Sequence, residues 1–450
     1  MGTAHEDERG NGHAGPPNAP AGAADNGRAD GGADAPVILV GFSGAWLAAL
    51  AKFQPEHTII LVEEPDVVRK RTLREAAAES VILRELIEWE FHLDAAADCF
   101  FQRHRHLRPA AVVPVGDYSV PFAARLAELY GVVGAGFGAA LLLRDKELCR
   151  RVTAAAGIPN PRSVAVRSPD EVRALLAEVG AVVLKPANRQ GALGTRVLRD
   201  PDEVDAAWAE CTEQDEGVYA PDRRMPLRML AERFVAGDEF SVELMVRGGR
   251  THFASVTRKF LFPGPRPVER GHLVPADIGD DLRARLVGAT ERVVGAVGMD
   301  TGFVHCEWIV TADGTPYLVE CAGRLAGGGI MDLIVLAWDY DVFGQYWDLM
   351  HGRELAAAPT TVTCHGAVWL SAEPPGEVES VSGVEDAEAL PGVHAVGVAV
   401  GPGDRVTELR SSWDRVAMAI ATGETPEIAL GTARTAIELI EVKVRPPVRL

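Results

Sequence analysis

The chain has 450 residues, of which 47% are hydrophobic and 24% charged, enough for two or three globular domains. Its formal net charge of −19 argues against nucleic acid held on a general basic surface, and no apolar run reaches membrane-span length, so neither partner is expected. Six cysteines without CxxC or zinc-like spacing, and an N-terminus without the basic-then-apolar order of a secretion signal, point to a reducing cytoplasm.

Residues 1–35 are mostly Gly, Ala, Asp, Asn and Pro and are expected to form a disordered tail. The apolar run Pro36–Val40 enters Gly41-Phe42-Ser43-Gly44 and reads as a buried strand turning into a helix over Ala45–Phe53. Thr58–Val62 is a second strand, ending in Glu63-Glu64. Ala110–Val115 is a third, opening onto Gly116-Asp117-Tyr118-Ser119 before a helix over Pro121–Tyr130. This alternation predicts a parallel α/β layer over residues 36–135. Ligands in such layers collect at the strand C-termini, here Gly41–Gly44 and Gly116–Ser119. Gly134-Ala135-Gly136-Phe137-Gly138 follows a helix, not a strand, so it is read as a connector rather than a dinucleotide fingerprint.

A central unit over residues 136–230 should contain a helix at Ala139–Ala156, a strand at Ser163–Val166 and a helix at Pro169–Val179. It continues with a strand at Ala181–Lys185, the loop Pro186–Thr195 and a strand at Arg196–Leu198. The last unit, residues 231–450, takes up a strand read over Leu227–Val235, another over Phe240–Val246, and a strand-rich stretch through 303–321. A helix over Ile330–His351, strands near 366–370 and 394–399, and a helix over Pro426–Ile440 follow.

Within 303–321, Glu307 and Glu320 are equidistant from Asp313-Gly314, a strong hairpin signal between two alternating apolar runs. A tight turn would set the two carboxylates opposite each other, about 5 Å apart on one face. Like charges so placed repel, so something positive should lie between them. Hard divalent cations, Mg²⁺ above all, suit two carboxylates and usually arrive with phosphates. The bland reading is a solvated acidic hairpin. Cys306 and Cys321 would oppose each other on the other face as a buried thiol pair.

Lysine is scarce: six of 45 basic residues, namely 52, 70, 146, 185, 259 and 443. A compact ammonium on a flexible stem suits phosphate oxygens where a guanidinium does not. Lys185 ends an apolar strand before a loop holding Gly191 and Gly194, whose backbone N–H groups can fold over a triphosphate. Alone this is weak, because a lysine at a strand end is usually surface. In order, Lys146, Lys185 with its loop, Glu232, Glu239, Glu307, Glu320 and Arg324 form a more specific series.

That series resembles the ATP-grasp superfamily of carboxylate–amine ligases, over residues 36–450. The resemblance implies an α/β ATP-grasp fold of three domains: a parallel α/β N-terminal layer, a small mobile α+β lid and a larger α+β C-terminal domain. It implies that Lys146 and Lys185 bind ATP phosphates and that the Gly191–Gly194 loop covers them. Glu232 with the backbones of Arg233 and Val235 would hold the adenine edge, and Glu239 the ribose. Glu307 and Glu320 would ligate two Mg²⁺ ions, with Mn²⁺ as a substitute. Arg324 would stabilise the charge on an acyl phosphate and a tetrahedral intermediate, a role that a planar guanidinium four residues past a metal ligand suits. The loop has fewer glycines than biotin carboxylases carry. Where the family commonly has Glu-x-Asn-x-Arg, this chain has Glu320-Cys321-Ala322-Gly323-Arg324. A water, or else His305, must then replace the missing amide oxygen.

Thr257-Arg258-Lys259, Pro267 to Pro275, Arg324 to Gly329 and the C-terminal Ser411-Ser412-Trp413-Asp414-Arg415 resemble L-amino acid ligases that make dipeptides in antibiotic pathways. On that likeness Glu269 binds a substrate ammonium, His272 assists the incoming amine, and Lys259 reaches phosphate or carboxylate. Gly328, in Gly327-Gly328-Gly329, would leave the pocket wall open to a donor larger than alanine; the glycines would otherwise only permit a tight turn. The expected activity is amide formation from a small-molecule carboxylate and an amine. The alternatives are an ATP-grasp carboxylase or purine-pathway ligase, and a nucleotide-binding protein without turnover. A homodimer through the 36–135 layer is expected by analogy.

Overall fold

The computed structural model describes residues 35–213 and 216–446; the expected tail at 1–35 lies almost wholly outside them. The N-terminal layer is a four-stranded parallel sheet in the order Leu83–Glu88, Ile59–Glu63, Val37–Val40, Ala111–Pro114. Its central strands are continuous apolar runs because helices cover both faces; every residue of Val37–Val40 and Ile59–Glu63 is buried. The edge strand Leu83–Glu88 was not anticipated. Arg84 and Glu85 face solvent there, so the run lacks the apolar signature of its neighbours.

A small antiparallel sheet follows, in the order Ser163–Val166, Met229–Arg233, Val182–Pro186, Arg196–Leu198. Helices Pro169–Val179 and Val204–Thr212 close it on one side through Val172, Leu176, Val204 and Ala207. Met229–Arg233 pairs entirely within this sheet, so a boundary at 230 would cut a strand, and the strand belongs to the lid. The helix expected over Ala139–Ala156 is two helices, Phe137–Arg144 and Lys146–Ala155. Asp145 breaks it: extended at φ −122°, it accepts the N–H groups of Glu147 and Leu148 as an N-cap. Both helices pack on the large sheet through Ala139, Leu143 and Cys149 against Val242, Val304 and Leu318, and the second also touches the lid strand Ser163–Val166.

The large sheet has eight strands, with Gly302–Val310 and Pro316–Ala322 forming its edge hairpin. Inward from the hairpin come Asp238–Arg247, Arg250–Leu261, Glu269–Val274, His365–Ser371, Ala417–Gly423 and Val393–Val398, all antiparallel. Alternation is strict near the hairpin. Val304, Cys306 and Trp308 face the helix Asp280–Val297, whereas His305, Glu307 and Ile309 face the other way. The helix expected over Ile330–His351 breaks at Asp339, φ +48°, into Ile330–Trp338 and Val342–Met350. A three-stranded satellite sheet, Arg405–Val406, Gly376–Ser382 and Glu441–Arg445, lies outside any expectation. Among the described residues no helix is long and apolar enough to cross a membrane.

The hairpin pairs His305 with Ala322, Cys306 with Cys321 and Glu307 with Glu320, as its symmetry predicts. Nearer the turn the register slips by one, Trp308 facing Leu318 and Val310 facing Pro316. The turn is thus wider than two residues, and Val319 is an extra residue, a β-bulge, that restores the pairing beyond it. The two deviations offset each other. Cys306 and Cys321 are both buried free thiols.

The lid joins the large sheet at Gly237. A Cβ there would overlap the Val310 carbonyl oxygen and crowd Ile309 Cγ2 at 2.9 Å. Gly237→Ala is therefore expected to destabilise the protein by about 2 kcal/mol or more, read as a lowered urea midpoint and Tm.

Candidate active site

One cavity of about 860 Å³ lies where the three sheets meet. The N-terminal layer contributes the strand-end loops at Gly41–Gly44 and Gly116–Ser119. The lid contributes Lys185, Glu232 and the loop around Gly191, and the large sheet its polar face. Lys146, Lys185, Gly191, Glu232, Arg233, Val235, Glu239, Lys259, Glu269, His272, Glu307, Glu320, Arg324 and Gly328 all line it. Gly194 does not. Its φ of +69° and a Cβ position 2.9 Å from the Cys211 carbonyl oxygen explain why the turn needs glycine there.

At the lid end, Glu232 is buried between Arg150 and Lys185. Arg150 Nε and Nη2 donate to its two oxygens at 2.8 and 3.2 Å, and Lys185 Nζ lies 2.6 Å away. Burial alone would raise the Glu232 carboxyl, but the two cations hold it at about 2. Burial pulls Lys185 down while Glu232 supports its charge. Arg150 Nη2 also donates to the carbonyl of the bulge residue Val319 at 2.6 Å.

The opposed glutamates are already neutralised by lysine, one each. Lys146 Nζ sits 2.8 Å from Glu320 and donates to the Arg189 carbonyl at 2.8 Å. Lys259 Nζ pairs with Glu307 at very short range and with Glu269 at 3.0 Å. Burial opposes charge on Lys259, yet Glu307, Glu269 and Glu239 raise it above the ordinary lysine range. Burial likewise opposes charge on Glu307, but Lys259 and His305 hold it well below the usual carboxylate range.

His305, the alternative to water as a replacement ligand, has a carboxylate at each ring nitrogen. Nδ1 lies 2.8 Å from Glu243 and Nε2 3.1 Å from Glu307. Against the burial penalty, the two carboxylates push the ring up to about 9. Among the described residues no three His, Cys, Asp or Glu converge as a self-sufficient metal centre. The donor set still fits Mg²⁺: two carboxylates on adjacent strands, with phosphate and water completing the shell.

Arg324 meets Asp117 in a fork, Nε to Oδ1 and Nη2 to Oδ2, both 3.1 Å. Nη1 donates to the Leu325 carbonyl at 2.8 Å. The guanidinium is thus oriented before any ligand arrives. Glu269 accepts from Ser412 Oγ at 2.9 Å and lies 3.9 Å from Arg415, so it is a member of the site rather than a surface glutamate. His272 Nδ1 lies 2.9 Å from the Gly328 carbonyl oxygen and must donate to it, which leaves Nε2 as an acceptor without a partner. Burial lowers the ring to about 4, so it is neutral near pH 7.

Of the two readings of Gly328, an open wall or a tight turn, its geometry supports the turn. Its φ is +62°, and a Cβ would stand 2.7 Å from His272 Cε1. Gly328 is glycine because it must turn and because the imidazole lies against it. Gly327 has no atom within 4 Å of its Cβ position, so it is the open part of this wall.

Arg150, Asp117 and Arg415 were not singled out as site residues from sequence. Only Asp117 carried a signal, its place in a strand-end loop. The pairs Arg150–Glu232 and Arg324–Asp117 span 82 and 207 residues, beyond any local pattern.

Residues 179–332 match the ATP-grasp domain family, and residues 368–445 match L-amino acid ligase C-terminal domain 2. The chain carries an ATP-grasp domain. It is 30% identical over 303 residues to y4rH, an uncharacterized protein of Sinorhizobium fredii (strain NBRC 101917 / NGR234), covering 67% of this chain and 61% of that one. It is 25% identical over 266 residues to alanine–anticapsin ligase of Bacillus subtilis, covering 54% and 56%. The chain thus spans less than two thirds of the length of either relative. The crystal structure of L-amino acid ligase from Bacillus licheniformis superposes with a TM-score of 0.73 at 17% identity, over 92% of this chain and 99% of that one. The overall architecture is therefore the ATP-grasp fold, with the small sheet as its lid.

Two expectations follow. Glu232→Gln leaves Arg150 and Lys185 buried without a counter-charge and should cost about 3–5 kcal/mol, read by urea denaturation of the free protein. Because the folded carboxyl lies below its ordinary value, its stabilisation is present above pH 4.5 and is lost as pH falls toward 2. The variant should lack that part of the acid dependence. Separately, Gly328→Ala should depress activity with every substrate through displaced His272, whereas Gly327→Ala should retain it. Equal tolerance at both positions in steady-state assays would remove the packing argument.

Proposed function

We propose that the chain is an ATP-dependent carboxylate–amine ligase that joins an amino acid, or a related carboxylate, to an amine. The observation that carries this reading is the convergence in one cavity of the lysine-neutralised glutamate pair with a pre-oriented Arg324 and a neutral His272. The L-amino acid ligase C-terminal domain and the relatives named as amino acid ligases support it.

Each lysine beside the glutamates can turn to a phosphate oxygen once a cation takes its place. Glu307 and Glu320 would hold Mg²⁺, as two ions, whose charge would offset that of the phosphates during transfer. The donor carboxylate attacks the γ-phosphorus, ADP leaves, and an acyl phosphate remains with its charge facing Arg324. The amine nitrogen then attacks the carbonyl carbon, phosphate departs as the C–O bond breaks, and the surplus amine proton is taken up. His272 Nε2 is suited to accept it, being neutral with its tautomer fixed by Gly328. Glu269 attracts the ammonium form of the incoming amine. Lys185, with Glu232 and the Arg233–Val235 backbone, lines the adenine side and Glu239 the ribose side. No side chain needs to attack covalently.

The products we infer are dipeptides or related amides of a natural-product pathway. A reducing cytoplasm suits the six cysteines, all free.

Purified protein given ATP, Mg²⁺ and paired amino acids should release ADP and phosphate and yield a product of condensed mass. Hydroxylamine should trap a donor hydroxamate only when ATP is present. Glu320→Gln should lower turnover by about a hundredfold or more, and wild-type turnover of that variant at limiting Mg²⁺ would exclude the metal assignment. Dependence on bicarbonate would favour a carboxylase, and nucleotide binding without turnover a non-catalytic protein.

A further inference from the structure

Of the nine Lys and Arg side chains lining the cavity, seven lie within 4.0 Å of a carboxylate of the chain itself. Among the described residues the exceptions are Arg233 and Arg71. Arg233 is exposed and lies over the Tyr317 ring, on the nucleotide side. Arg71 is half-buried on the opposite wall, at the carboxyl end of the N-terminal sheet.

Its surroundings are built. Nη1 donates to the Phe42 carbonyl at 3.2 Å, and the guanidinium lies over Phe42 at 4.6 Å and over Tyr219 at 5.1 Å. Tyr219 in turn stacks on Trp413 at 4.1 Å. Glu63, also on the cavity wall, is close enough to feel the Arg71 charge but makes no ion pair with it. The two Glu63 oxygens accept the N–H groups of Phe42 and Glu64 instead, each at 2.8 Å. Two aromatic faces and one carbonyl thus fix a guanidinium whose remaining N–H groups make no ion pair with a carboxylate among the described residues.

A ligase that consumes the donor's carboxylate keeps the acceptor's. That second carboxylate must enter a cavity whose other cations are committed to internal pairs or to phosphate. We infer that Arg71 is the specificity-determining residue that holds the carboxylate of the acceptor amino acid. The inference rests on the ligase reading, and it narrows the acceptor class to amines bearing an acid group, excluding simple amines and amino acid amides.

The test uses the full chain with ATP, Mg²⁺ and a donor found by hydroxamate formation. L-alanine, L-leucine and L-phenylalanine are compared with their carboxamides as acceptors. Wild type should prefer the acids. Arg71→Gln should reduce the acid-over-carboxamide preference in kcat/KM by about ten- to a hundredfold, mainly through KM for the acids. Arg71→Lys, which keeps the charge and loses the fork, should regain part of it, and it carries the same comparison if the Gln variant does not fold. An unchanged preference in the variants, whatever the fall in overall rate, would reduce Arg71 to a packing residue beneath Tyr219 and overturn the inference. So would a wild-type protein indifferent to acid or carboxamide. Absence of ATP-dependent hydroxamate with every donor would instead remove the ligase reading, and this inference with it.

Discussion

The guanidinium of Arg150 ties three parts of the molecule at one point. It sits on the helix Lys146–Ala155, binds Glu232 of the lid sheet with two N–H groups and holds the Val319 carbonyl of the hairpin with a third. Arg150 and Glu232 are both nearly inaccessible to solvent. A buried ion pair is weak evidence for stability, because desolvation offsets much of the attraction. It is strong evidence for position. Each group is tolerable only where its partner is, so the lid strand, the helix and the bulge are fixed relative to one another. The bulge sets which residue of the second hairpin strand faces Glu307, and therefore places Glu320 in the cavity.

The same constraint explains what was legible in the sequence. The Glu307–Glu320 pairing followed from Asp313-Gly314 and an alternating pattern, both local. The bulge at Val319 was invisible because a wider turn compensates for it, and its anchor comes from 169 residues away. Lys185 could be picked out because lysine is rare here and ends an apolar strand. Arg150 and Arg71 could not, being two among many arginines with no local mark. The strand Leu83–Glu88 escaped because an edge strand need not be apolar throughout. Asp145 and Asp339 each interrupt a helix that reads as continuous in composition, one by capping and one by a left-handed turn.

Charge within the cavity is arranged in near-neutral pairs although the chain carries −19. Lys146 with Glu320, Lys259 with Glu307 and Glu269, and Arg324 with Asp117 keep charged groups in place without ligand. Such pairs are costly to break singly, since each break strands a partly buried charge. A ligand that supplies both signs, a magnesium–nucleotide complex, can replace both members of a pair at once. On the ligase reading, this makes nucleotide and metal binding mutually dependent by electrostatics alone. Free nucleotide could draw Lys146 and Lys259 to its phosphates only by leaving Glu307 and Glu320 unneutralised, and free Mg²⁺ would have to displace two lysines with nowhere to send them.

Closure of the cavity is built from contacts between units that are far apart in sequence. The Gly191 carbonyl accepts the Ser412 N–H at 3.0 Å, and Trp413 Nε1 lies 3.2 Å from the Gly191 Cβ position. Lys70 of the N-terminal layer donates to the Gly217 carbonyl at 2.7 Å, and Arg223 forks onto the buried Glu64 at 2.7 and 2.8 Å. The lid is thus held from both sides, by the N-terminal layer and by the C-terminal segment around Trp413. An acyl phosphate is lost to hydrolysis if water reaches it, so a ligase of this kind needs its lid shut while the amine attacks. Trp413, which packs against the lid loop at Gly191, stacks on Tyr219, and Tyr219 lies against Arg71. Exclusion of water and recognition of an acidic acceptor would then depend on one set of contacts. The intermediate would be best protected in the same conformation that completes the acceptor subsite.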